Sequence, residues 1–96
     1  MLGTFEYVIN DLYIDVEDMD SYTKKKILKY VVPESNYVSI IICDIKGNEA
    51  ITVLNDYMIR GSYTCSLDVS SLKTGVYDCT IKSGGNKYSI PLYILS

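Results

Sequence analysis

Apolar and polar residues alternate with a period of two along most of this chain. On a β-strand that spacing turns one side chain into a core and the next into solvent. Residues 4–9 (TFEYVI) and 12–16 (LYIDV) predict a first strand or hairpin around Asn10-Asp11, with an acidic loop over 17–23. Residues 26–32 (KILKYVV) predict the next strand, stopped by Pro33 in a Pro-Glu-Ser-Asn turn. Residues 37–44 (YVSIIICD) form the most apolar strand, and Lys46-Gly47-Asn48 a hairpin turn in which Gly47 takes positive φ at little cost. Strands at 49–54, 62–69, 76–82 and 87–95 follow, separated by a loop through Gly61, a connector over Ser70–Gly75 and a turn at Ser83-Gly84-Gly85-Asn86. No window carries an apolar stripe at helical spacing. The best, 17–29, is broken by Thr23 and three successive lysines. The pattern therefore predicts an all-β sandwich of seven to eight antiparallel strands in one domain over residues 1–96, without repeats or linkers.

Parity divides each strand between two faces, and the likeness of these segments to a known family implies which one is inward. Leu28, Tyr30 and Val32 point inward, as do Val38, Ile40 and Ile42, and then Tyr88, Ile90, Leu92 and Ile94. Cys65 and Cys79 fall on the core side. The opposite faces carry Ile27, Val31, Ile41 and Cys43, with Tyr93 and Leu95 at the end of the chain. A strand with one solvated face should alternate apolar with polar. Apolar residues on the outside of two successive strands therefore predict a contiguous patch that docks on a partner. Ile27, Val31, Ile41, Cys43, Tyr93 and Leu95 are the candidate interface residues. Pro91 fits an edge strand, where its missing donor guards against further pairing.

Composition narrows the chemistry. The 96 residues carry net charge −3 and contain no His and no Trp, but ten Tyr and three Cys. Without His there is no Ser-His-Asp triad, no Cys-His pair and no imidazole metal ligand. Cys43, Cys65 and Cys79 form no Cys-x-x-Cys motif, so three free thiols are expected, with a Cys65–Cys79 bridge left open. The acidic run Asp15-Val16-Glu17-Asp18-Met19-Asp20 fails the calcium-loop pattern, because Met19 stands where a ligand is needed and Asp20 where glycine is. A solvated acidic loop is its simplest reading, with calcium left open. Gly84-Gly85 lacks the strand-to-helix setting of a phosphate loop. A non-enzymatic protein without cofactor or metal is expected, and the acidic balance speaks against a nucleic-acid partner. Met1 to Glu6 does not match a secretory leader, and the apolar run at Ile40–Cys43 is too short to span a bilayer. Cytoplasmic synthesis and no membrane partner are the corresponding expectations.

Several segments resemble a known family. Val32-Pro33-Glu34-Ser35-Asn36-Tyr37-Val38-Ser39-Ile40, Asp44-x-x-Gly47-Asn48, Leu67-Asp68-Val69-Ser70-Ser71-Leu72 and Gly75-Val76-Tyr77 look like bacterial Ig-like domains of flagellar hook-capping proteins. They also resemble the C-terminal sorting domains of the type IX secretion system. The resemblance spans about residues 24–95 and implies an Ig-like β-sandwich in which Gly47 serves a tight hairpin. In it Leu72 plugs one end, and Tyr77 points inward with its hydroxyl seeking a partner at the rim.

Three departures steer the functional expectation away from sorting, the first that a sorting domain rides on a large exported protein whereas this chain shows neither cargo nor signal. Residues 12–24 contain no proline, where sorting domains usually open with a Tyr-Pro-Asn-Pro-like segment. The chain also ends Leu92-Tyr93-Ile94-Leu95-Ser96 rather than in a basic tail. The expectation is instead a structural accessory protein of a bacteriophage, an auxiliary or decoration protein docked in many copies on the shell protein of a capsid and located in the virion. The alternative is an adhesion, carbohydrate-binding or secretion-sorting module of a larger cell-surface protein.

Overall fold

The computed structural model describes residues 11–18 and 25–95. The strand expected at 4–9 and residues 19–23 of the expected acidic loop lie outside the described residues. Seven strands follow in chain order: β1 (Tyr13–Asp18), β2 (Lys25–Val32), β3 (Asn36–Asp44), β4 (Glu49–Met58), β5 (Gly61–Asp68), β6 (Gly75–Ser83) and β7 (Asn86–Ile94). They make a three-stranded sheet, β1-β2-β5, and a four-stranded sheet, β4-β3-β6-β7, with every paired neighbour antiparallel. The expected all-β, Ig-like sandwich is the observed fold.

Alternation builds the core. Ile14, Leu28, Tyr30, Val32 and Leu67 from one sheet meet Val38, Ile40, Ile42, Cys79, Ile81, Leu92 and Ile94 from the other. Leu28, Val32, Ile40, Ile42, Cys79 and Ile81 are fully enclosed. Between β2 and β3 the chain changes sheets, at Pro33-Glu34-Ser35. Arg60 fastens that corner, its Nε donating to the Pro33 carbonyl (3.0 Å) and its backbone N–H to Ser35 Oγ (2.8 Å). Tyr30 and Tyr63 are cross-strand partners whose rings stack with centroids 5.3 Å apart, a pairing that adds to the area they bury.

Carboxylates and one tyrosine shape the turns. Asp44 Oδ1 accepts the N–H groups of Lys46 and Asn48, both at 2.9 Å, and Gly47 adopts φ +87° as the hairpin requires. In the β5–β6 connector Asp68 Oδ1 accepts the Ser70 N–H (2.9 Å) and the Val69 carbonyl that of Leu72 (3.0 Å). Leu72 is buried at the sandwich end, as expected. The Tyr77 hydroxyl donates to the Lys73 carbonyl (2.9 Å), the corner tyrosine typical of Ig-like sandwiches.

The structure departs from the sequence reading at four places. β1 continues through Glu17 and Asp18, because their carboxylates meet Lys29 and Lys26 on β2. β4 runs to Met58 rather than residue 54. Register shifts beside Ile40/Ile41 and Ile42/Cys43 disturb the alternation that would mark its full length. Tyr88, expected in the core, is 39% exposed. It sits near the start of edge strand β7, beside the turn from β6, and its ring meets Tyr13 at 5.6 Å. Val31, expected on the outside, is only 7% exposed, since the central strand β2 holds it between Tyr13 and Ser62. Pro91 does lie on an edge strand, and its ring removes one donor from the free edge of β7.

Two outcomes are expected. Ile40→Ala should cost about 2–5 kcal/mol in urea unfolding, whereas Ile41→Ala, on the opposite face, should cost about 1 kcal/mol or less; equal losses would reverse the faces of β3. Hydrogen bonds from the Asn48 and Lys46 backbone lower the Asp44 pKa below 3.8, and those from Ser70 do the same for Asp68. A depressed carboxylate contributes stability that is present above its unfolded pKa and lost as pH falls through the folded value. The urea midpoint should therefore drop from pH 6 to pH 3 more in the wild type than in the Asp44→Asn/Asp68→Asn double variant.

Candidate functional site

The sheet change between β2 and β3 divides the expected interface. Ile27 and Val31 belong to the outer face of the three-stranded sheet, while Ile41, Cys43 and Tyr93 belong to the outer face of the four-stranded sheet. The contiguous patch expected across two successive strands does not form, because β2 and β3 face opposite sides of the sandwich. Ile27 is half-buried and Val31 buried; Ile41 and Cys43 are half-buried; Tyr93 and Leu95 are 66% and 83% exposed.

On the three-stranded sheet two lysines are in ion pairs, one on the outer face and one at the sandwich end beside Val16 and Leu92. Lys29 binds Glu17 at 2.8 Å and Lys26 binds Asp18. A groove of about 430 Å³ runs there between Tyr13, Lys29, Val31, Tyr63 and Thr64. Of the acidic run read as a possible calcium loop, Glu17 and Asp18 are thus engaged by lysines, and Asp20 lies outside the described residues.

The four-stranded side is more open. Its outward residues form rows across the strands: Ser39–Lys82–Lys87, Ile41–Thr80–Ser89, Cys43–Asp78–Pro91 and, at the end, Val76–Tyr93. Thr80 and Ser89 hydrogen-bond through their hydroxyls at 2.8 Å. Tyr37 and Tyr57 are cross-strand partners on the same sheet and meet edge to face at 5.3 Å. A trough of about 470 Å³ lies over β6, walled by Ile41, Cys43 and the Asp44–Gly47 hairpin on one side and by Lys87 and Ser89 on the other. Beyond its hairpin end Ile45 (78% exposed), Val76 (46%), Tyr93 and Leu95 leave apolar surface uncovered. Sequence parity had found Tyr93 and Leu95 but not Val76, Lys82 or Lys87. The four-residue turn at 83–86 carries the missing signal, because it alone sets Val76 opposite Tyr93 and Lys82 opposite Lys87.

Comparison with known proteins gives this surface its context. A family model described as a secretion system C-terminal sorting domain matches residues 23–94, about three quarters of the chain. The chain belongs to that family of sorting domains. The match begins just before β2 and ends with β7, so it takes in both sheets. A search of curated proteins gives no match. Membership overturns the expectation of a phage decoration protein, and with it the virion location and the capsid-shell partner. The missing proline segment and basic tail weighed too heavily in that expectation, since the sorting-domain pattern runs on through the strands and turns. Of the two resemblances, the one to sorting domains is the one that holds.

The sorting domain contains three free cysteines. Burial, then the neighbouring Cys65, pushes the Cys79 thiol up to about 12, and burial raises Cys65 as well. Alkylation requires an accessible thiolate. In the folded protein at pH 8, iodoacetamide should label Cys43 first and Cys79 only after unfolding in urea, read by peptide mass spectrometry. Early labelling of Cys79 would contradict the core placement of β6.

Proposed function

We propose that this domain is the export signal of a larger protein, directing it through the type IX secretion system to the cell surface or the medium. The family match over residues 23–94 carries the proposal, and six of the seven described strands of the sandwich lie within that span. In this reading the domain is one non-catalytic module, and its partners are proteins of the secretion machinery. A leader for the first membrane belongs to the cargo protein, so Met1–Glu6 does not bear on export. In this reading the docking partner is a component of the export machinery and the docking surface one face of the sandwich.

The test is a fusion of a leader, a reporter enzyme and the full chain, produced in a bacterium that has the type IX system. Reporter should reach the surface or medium in that strain and stay in the periplasm of an isogenic strain lacking the outer-membrane translocon. Periplasmic retention in both strains, with the fusion intact and folded, would refute the proposal.

A further inference from the structure

Lys82 and Lys87 stand directly opposite one another on β6 and β7. Directly opposed residues have Cβ atoms about 5 Å apart, and like charges so placed oppose strand pairing. Neither lysine is in an ion pair among the described residues, whereas Lys26 and Lys29 on the other sheet each hold a carboxylate. The four-stranded sheet thus presents two uncompensated cations at one end of the trough over β6.

The rest of the trough says what kind of anion fits. Along β6 the outward positions run Lys82, Thr80, Asp78. They span about 13 Å at the rise of an extended strand, the length of about four residues of extended chain. Midway, the Thr80 and Ser89 hydroxyls offer hydrogen-bonding capacity beyond the bond between them. Ile41 and Cys43 form an apolar wall. At the far end the carboxylates of Asp78 and Asp44 stand with Lys46, so the trough carries charges of both signs and suits a uniformly anionic chain such as an acidic polysaccharide poorly. A polypeptide can segregate its charges and carry apolar side chains between them.

We propose that this trough receives an extended segment of a partner protein, with acidic side chains over Lys82 and Lys87 and apolar ones against Ile41 and Cys43. The proposal rests on the sorting reading, and the partner is then a protein of the secretion machinery.

The full-chain reporter fusion tests it. Lys82→Glu/Lys87→Glu should lower export by about tenfold or more, because reversal repels an acidic segment. The variant keeps a like-charge pair, so its urea midpoint should match the wild type. Lys73→Glu reverses a lysine away from the trough and should export normally. A photo-crosslinking residue in place of Ser89 should form an adduct with an acid-bearing stretch of a machinery protein. Normal export of the Lys82→Glu/Lys87→Glu variant alongside an exported wild type overturns the trough and leaves the sorting reading standing. An adduct with a glycan, with a second copy of the chain, or no adduct also overturns it. A wild-type fusion that stays in the periplasm removes both.

Discussion

Packing of β3 against β2 across the sandwich is the constraint from which the rest of the fold follows. The two strands are consecutive, and each has an uninterrupted row of large apolar residues on one face: Leu28, Tyr30 and Val32, then Val38, Ile40 and Ile42. Neither row can be buried by pairing within one sheet, because in-sheet neighbours point their side chains the same way. The rows must face each other across the core, so the chain has to change sheets between them. Pro33 interrupts the ladder where it does so, and Arg60 binds the corner. Once β2 and β3 are in different sheets, β5 pairs with β2 while β4 and β6 flank β3, and the outer faces are fixed as what remains.

The motifs that carry the family likeness act mainly at the ends of this sandwich. Asp44 holds the β3–β4 hairpin by accepting two backbone N–H groups, and Asp68 performs the same service after β5. Tyr77 returns its hydroxyl to the connector it leaves. These bonds satisfy backbone groups where the ladders stop, which is why such residues recur at fixed spacing in a fold whatever it binds. Their presence argues for the sandwich and says little about the partner. A match running through strands and turns alike is a different kind of observation, because it includes positions that no single turn requires.

Sequence alone made most of the strands legible, along with nearly all the buried residues of β2, β3 and the second half of β7, because period-two alternation there is strong. It could not say which sheet each strand joins. Ile27 and Ile41 looked like neighbours on one surface, and only the change of sheets separates them. Tyr88 and Val31 mark a second limit. Parity gives the direction of a side chain, but burial also depends on whether a strand is central or at an edge, and on how near the residue lies to its end. The length of β4 was hidden by its register shifts, and β1 was extended by ion pairs that alternation does not encode.

These limits explain why the outer faces, and not the core, hold what was missed. The three-stranded side carries Ile27 and Val31, yet Val31 is covered and Lys29 beside it is matched by Glu17. The four-stranded side carries Ile41, Cys43 and Tyr93, and the structure adds an uncompensated lysine pair and an open Val76. A surface that satisfies its own charges gains little from a partner, because binding must first break what is already made. A surface that holds opposed lysines apart from any carboxylate can gain electrostatic energy on contact without that cost. The face suited to recognition is therefore the one whose polar groups the fold leaves unmatched, and it also holds most of the apolar residues that parity places outside.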